Sequence, residues 1–206
     1  MTRLVLLRHG QTDWNVERRF QGQTDIGLND VGRAQAAAAA PHVARERPDL
    51  IVSSPLGRAL STADHVAAQT GQEIVTDPRL VEINVGTWAG LTADEMQRRD
   101  PDFSRTSRSG GDFRRSATGE TADEVGLRMR MALLDIACRF EGGTVLVVSH
   151  GLAIRMGVGY LMGWGYEQTC QLGIMGNCGW SVLDHHPDRG WRLEAYNRQA
   201  PAVPAT

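Results

Sequence analysis

Leu4-Val5-Leu6-Leu7-Arg8-His9-Gly10-Gln11-Thr12-Asp13-Trp14-Asn15 decides how this chain is read. The four apolar residues Leu4 to Leu7 show no polar alternation, so both faces of the segment are predicted to be covered. That is the habit of a short strand inside a parallel sheet flanked by helices. In open α/β sheets, ligands bind beyond the carboxyl ends of the strands. Arg8, a fixed cation, and His9, a potential nucleophile, sit at that end. Gly10 lets the backbone turn and approach a ligand closely. Asn15 follows near enough to fold back as a hydrogen-bond donor.

The same arrangement recurs far along the chain. Thr144-Val145-Leu146-Val147-Val148-Ser149 reads as a buried strand, and His150-Gly151 follows at its end. A helix predicted from Leu152 to about Leu161 would leave first-turn N–H groups free to face an anion. A third strand, Leu50-Ile51-Val52, closes with Ser53-Ser54-Pro55. A helix is predicted to begin near Pro55, a favoured first helical residue, which puts Arg58 in its first turn. Two His-Gly pairs and one helix-start Arg at strand ends point to an anion site.

Composition narrows the classes. With 206 residues and 41% hydrophobic content, one domain over 1–199 is expected, followed by a disordered tail at 200–206. No run of about 18 apolar residues occurs, so no membrane span is expected. Net charge of −2 argues against a nucleic-acid partner. Cys138, Cys170 and Cys178 are too scattered for a disulfide framework or a zinc site, and His185-His186 lacks a third ligand at useful spacing. No metal and no cofactor are therefore expected. No leader pattern precedes the first strand, and a cytoplasmic setting is the expectation. All 22 basic residues are Arg, whose planar fork suits phosphate and carboxylate.

Between the motifs, Asn29 is a plausible cap for a helix running to about Arg45, which Pro41 should kink or split. Thr121 and Glu124 form a capping box ahead of a long helix with a Val125-Met129-Ala132-Leu133-Ile136 stripe. A helix is predicted from Thr92 to about Arg99, and 100–118 is the least regular stretch, within an insertion at about 92–120. It holds Arg108, Arg114 and Arg115 and suits either a lid over the site or a solvated loop. Two strands around a turn close the chain, at Gly179–Leu183 and Trp191–Tyr196.

Arg8-His9-Gly10 with Thr12 and Asn15, together with Ser53-Ser54-Pro55-Leu56-Gly57-Arg58-Ala59, Glu82 before Gly86-Thr87-Trp88, and His150-Gly151, resembles the histidine phosphatase superfamily, also called the phosphoglycerate mutase-like fold. The resemblance implies a three-layer α/β/α sandwich with a mostly parallel sheet. It implies that His9 is the nucleophile that becomes phosphorylated, that Arg8, Arg58 and His150 bind the phosphoryl group, and that Glu82, flanked by apolar Val81 and Ile83, is the proton donor. The symmetry of the two His-Gly pairs by itself leaves the two histidine roles interchangeable. Asn15, Gln21, Gly22, Thr24 and Gly151 resemble the family's pocket-lining positions. Arg108, Arg114 and Arg115 are candidate contacts to an acidic substrate.

Water as acceptor makes a phosphatase, and a second hydroxyl makes a phosphoglycerate mutase. The short region after Glu82 favours the phosphatase. Gly10-Gln11-Thr12-Asp13, Gln21-Gly22-Gln23, Met175-Gly176-Asn177 and Trp180 are similar to actinobacterial glucosyl-3-phosphoglycerate phosphatases. The expected partner is a small phosphorylated substrate. A homodimer, a cofactor-dependent mutase and a non-catalytic phospho-ligand binder are the alternatives left open at this stage.

Overall fold

The structure, a computed structural model, describes residues 1–99 and 110–201. Along the chain run β1 (Thr2–Arg8), α1 (Asp13–Val16), α2 (Asp30–Ala44), β2 (Leu50–Ser53), α3 (Gly57–Thr70), β3 (Ile74–Thr76) and α4 (Ala93–Arg99). They are followed by α5 (Ala122–Arg139), β4 (Thr144–Ser149), α6 (Gly151–Leu161), α7 (Tyr166–Thr169), β5 (Trp180–His186) and β6 (Gly190–Arg198). The six strands form one sheet in the order β3-β2-β4-β1-β5-β6. The first four are parallel, while β5 runs antiparallel to β1 and β6 to β5. This is an α/β fold with a mostly parallel sheet covered by helices.

The unbroken apolar run of β1 is explained by its position. Leu4 and Leu6 pack with Val145 and Val147 against Val125, Met129 and Leu133 of α5 and Ile154 of α6. Val5 and Leu7 face the other way, joining Ile51, Leu146 and Val148 against Val43 of α2 and Ala59, Ala63 and Val66 of α3. Leu4, Leu6 and Leu7 are fully buried, so each contributes roughly 1.5–3 kcal/mol of apolar transfer. α2 and α3 thus cover one face of the sheet, and α5 and α6 cover the other. Because β1 and β4 are neighbours, their exits diverge and open a crevice beyond their carboxyl ends.

Several local expectations are revised. α2 runs unbroken through Pro41 to Ala44. α3 starts at Gly57, two residues after Pro55, because the Asp25 carboxylate accepts the Gly57 N–H at 2.8 Å and caps the helix from another loop. α1 was not expected. Thr12 and Asn15 create it through a reciprocal capping box, with both contacts spanning a single turn. His185, at the end of β5, packs on the Trp191 ring at 5.0 Å. Among the described residues, no helix is long and apolar enough to cross a membrane.

Candidate active site

β1 and β4 run in register, Leu7 beside Val148 and Arg8 beside Ser149, so His9 and His150 emerge level with one another. Their rings lie 5.2 Å apart, and both are buried. His9 Nδ1 is 2.7 Å from the Gly10 carbonyl. A carbonyl only accepts, so Nδ1 carries the proton and Nε2 keeps its lone pair. Burial pushes the His9 pKa well below its usual value, and Arg8 and Arg58 push in the same direction. His9 is therefore a neutral imidazole whose Nε2 carries no proton. Its main chain is held in turn: Asn177 Nδ2 and the Cys178 amide both donate to the His9 carbonyl, each at 3.2 Å.

His150 forms the N-cap of α6, and its Nε2 lies 2.8 Å from Ser54 Oγ. Burial lowers its pKa strongly, with His9, Arg58 and Arg8 adding to the effect. Arg58 is fully buried at the start of α3, and it donates to the Thr24 carbonyl at 2.7 Å and the Gly22 carbonyl at 2.8 Å. Gly22 has φ +53°, and an added Cβ there would meet Val85 Cγ2 at 2.6 Å. Arg8 donates to the Met175 carbonyl. Its Nε would stand 3.2 Å from a Cβ on Gly151, so the glycine makes room for the guanidinium. Burial lowers the pKa of both arginines, while Glu82 opposes this.

Among the described residues, six buried side-chain nitrogen or oxygen atoms have no hydrogen-bond partner. Four belong to this group: Arg8 Nε, Arg58 Nε, His150 Nδ1 and Gln21 Oε1. Buried polar atoms left unpaired are costly, and three of these four are on groups suited to an anion.

Glu82 lies in a loop between two single 3-10 turns, Pro78–Leu80 and Gly86–Trp88. Its carboxylate accepts from Leu152 N at 3.2 Å and from Ala153 N and Ile83 N at 3.0 and 2.9 Å. The first-turn amides of α6, expected to face an anionic ligand, are thus taken by Glu82. Glu82 is tied to the same turn that carries His150.

Glu82 also lines a cleft of about 530 Å³, together with Asn15, Gln21, Gly22, Leu152 and Tyr166. Phe20, Trp88 and Phe113 line it too, their rings 6.2 and 6.3 Å apart in series. Asn15 Oδ1 accepts from the Thr12 amide and Asn177 Nδ2, which leaves its own amide N–H groups to the cleft. Arg115 lines the cleft, pairing with Asp112 at 2.7 Å and lying 4.2 Å above the Phe113 ring. Arg114 is placed elsewhere: it pairs with Glu124 at 2.5 Å and donates to the Gly119 carbonyl. Thr24 is exposed; its carbonyl holds Arg58 and its amide donates to the Gln21 carbonyl at 3.1 Å. Arg108 lies outside the described residues. Among the described residues, no group of three or more His, Cys, Asp or Glu is placed to hold a metal ion.

Sequence reasoning missed several supporting residues. Arg19 looks like a surface charge in sequence but lines the cleft. Thr62, one turn into α3, accepts from the Gly10 amide at 3.1 Å and donates to the Arg58 carbonyl at 2.8 Å, joining two motifs. In sequence Thr62 shows only as a polar residue one helical turn after Arg58.

Known proteins resemble this chain along nearly its whole length. The family described as "Histidine phosphatase superfamily (branch 1)" matches residues 4–199. A glucosyl-3-phosphoglycerate phosphatase of Mycolicibacterium vanbaalenii is 36% identical, with the match covering 96% of this chain and 95% of that protein. A Photorhabdus laumondii protein named "Probable phosphoglycerate mutase GpmB" is 34% identical over 94% of this chain and 92% of its own length. The solved structure of a mycobacterial glucosyl-3-phosphoglycerate phosphatase in complex with VO3 superposes with a TM-score of 0.86 at 37% identity, covering 95% of this chain and 98% of that one. With its two strand-end histidines, the arginines beside them and this match along nearly its whole length, the chain belongs to the histidine phosphatase superfamily, branch 1.

Proposed function

We propose that the protein is a phosphatase for a small acidic phosphomonoester, working through a phosphohistidine on His9. The observation that carries this reading is the state of His9: buried, neutral, its Nδ1 proton engaged by the Gly10 carbonyl, and flanked by Arg8 and Arg58. Nε2 attacks phosphorus while the P–O bond to the leaving group breaks. Glu82 gives its proton to the departing oxygen. Water then attacks the phosphohistidine, the N–P bond breaks, and the water's proton passes to Glu82, which restores both groups. Arg8, Arg58 and His150 supply donors for the charge spread over the equatorial oxygens.

Arg115 and the aromatic lining of the cleft support a substrate with a second acidic group and a sugar or glycerate body. The mycobacterial relatives make glucosyl-3-phosphoglycerate the first candidate. A panel of phosphomonoesters, including 3-phosphoglycerate and glucosyl-3-phosphoglycerate, tests this when scored for phosphate release and for isomerisation. Phosphate release dominates on the proposed reading. Efficient interconversion of 2- and 3-phosphoglycerate with little phosphate release would make the protein a mutase instead.

A further inference from the structure

Glu82 sits in a stretch without a sheet ladder or helical bonding of its own, so its backbone polar groups depend on side chains. Arg128, on α5, supplies most of that support. Its Nη1 donates to the Arg79 and Val81 carbonyls at 2.8 and 2.9 Å, and its Nη2 donates to the Glu82 carbonyl at 3.4 Å. Its Nε and Nη2 grip the Glu120 carboxylate at 3.1 and 3.0 Å. All five N–H groups of the guanidinium are thereby committed. Glu120 continues the clamp: its carboxylate accepts the Asn84 amide at 2.8 Å, and its own amide donates to the Asn84 carbonyl at 2.8 Å. The backbone is pinned on both sides of Glu82, from residue 79 to residue 84. Both members of the pair are half-buried, and a bidentate charged pair holds its geometry well.

We propose that Arg128, locked by Glu120, is a positioning residue for the proton donor: it fixes the main chain of the Glu82 loop so that the carboxyl meets the leaving-group oxygen. This rests on the reading of Glu82 as the acid. Arg128 is not among the residues lining the cleft and makes no hydrogen bond to the Glu82 carboxylate; its charge also reaches His150, whose pKa it helps to lower, so the two-substrate comparison separates loop positioning from a change in the phosphoryl site. A small displacement of a catalytic group slows the step that uses it far more than it weakens binding.

The test uses the full chain and two substrates: p-nitrophenyl phosphate, whose leaving group needs little protonation, and the alkyl phosphate 3-phosphoglycerate, whose leaving group needs much. Arg128→Met and Glu120→Gln should each lower kcat for the alkyl phosphate by about tenfold to a hundredfold, with p-nitrophenyl phosphate changed by less than about threefold. The inhibition constant for inorganic phosphate should stay the same. In a Glu82→Gln background, Arg128→Met should add almost nothing, because the group it positions is gone. Should Arg128→Met fail to fold, Glu120→Gln, which keeps the guanidinium, is read alone. Equal losses on both substrates, or an undiminished loss in the Glu82→Gln background, would overturn the clamp. If Glu82→Gln itself slowed both substrates equally, the acid assignment would fall. A selective Glu82→Gln loss that neither clamp variant reproduces would sink the clamp and spare the acid.

Discussion

At the scale of the residue, His9 is defined by what surrounds it rather than by its own chemistry. A free histidine is half protonated near pH 6.5, but burial and two guanidinium groups hold this one neutral well below that pH. In ¹H–¹³C spectra of the phosphate-free protein, the His9 Cε1–H resonance should therefore stay flat from pH 7.5 to about 6. A His9 titration centred near 6.5 would contradict the buried, neutral state. On the proposed mechanism, a rapid acid-free quench should find the phosphoryl group on the peptide containing His9, and His9→Ala should abolish labelling. A label on His150 would exchange the two roles, an ambiguity that Arg8-His9-Gly10 and His150-Gly151 leave open in sequence. Arg115 carries the prediction about specificity. Losing a charge-assisted contact costs on the order of 1.5–3 kcal/mol, so Arg115→Ala should raise KM for an acidic substrate by about ten- to a hundredfold. KM for p-nitrophenyl phosphate, which lacks a second acidic group, is the control, and equal changes in both would return Arg115 to a structural role.

At the scale of the element, the parts legible in sequence were those built from local rules. The Leu4–Leu7 run, the Asn29 cap and the Thr121–Glu124 capping box all fall where periodicity and capping place them. Contacts between distant segments were not legible. Asp25 caps α3, and Arg58 reaches back to Gly22 and Thr24; neither pairing leaves a mark in the local pattern. The start of α5 shows both kinds. Thr121 Oγ1 accepts the Glu124 amide at 3.1 Å, as the spacing suggests. Asp112, from the preceding loop, also accepts the Ala122 and Asp123 amides, at 3.0 and 2.7 Å. Burial alone would push the Asp112 pKa up, but those amides and Arg115 hold it below the usual carboxylate value. Thr121→Ala should cost about 1 kcal/mol in denaturant unfolding. Asp112→Ala should cost more and also release Arg115, raising KM for acidic substrates. A change in stability without any change in KM would separate Asp112 from the cleft.

At the scale of the whole molecule, the two buried histidines tie stability to pH. Both have folded-state pKa values below the unfolded value near 6.5. Below that pH the unfolded chain takes up protons that the native state refuses, so stability falls as pH drops from about 6.5 toward the folded-state values. The slope is at most about 1.4 kcal/mol per pH unit for each histidine. Urea unfolding at pH 7.5 and 5.5 measures this, and replacing both histidines with Gln should flatten it. An unchanged slope in that variant would assign the acid sensitivity to other groups. The pairing of Arg8 with Ser149 has a last consequence. Consecutive residues of a strand stand about 3.3 Å apart and point to opposite sides, a step comparable to the contacts inside the site. One residue inserted into β1 or β4 would carry one imidazole past the other and turn it to the wrong face, with every side chain of the site still present. The number of residues between Leu4 and His9 is thus constrained as tightly as the identity of His9.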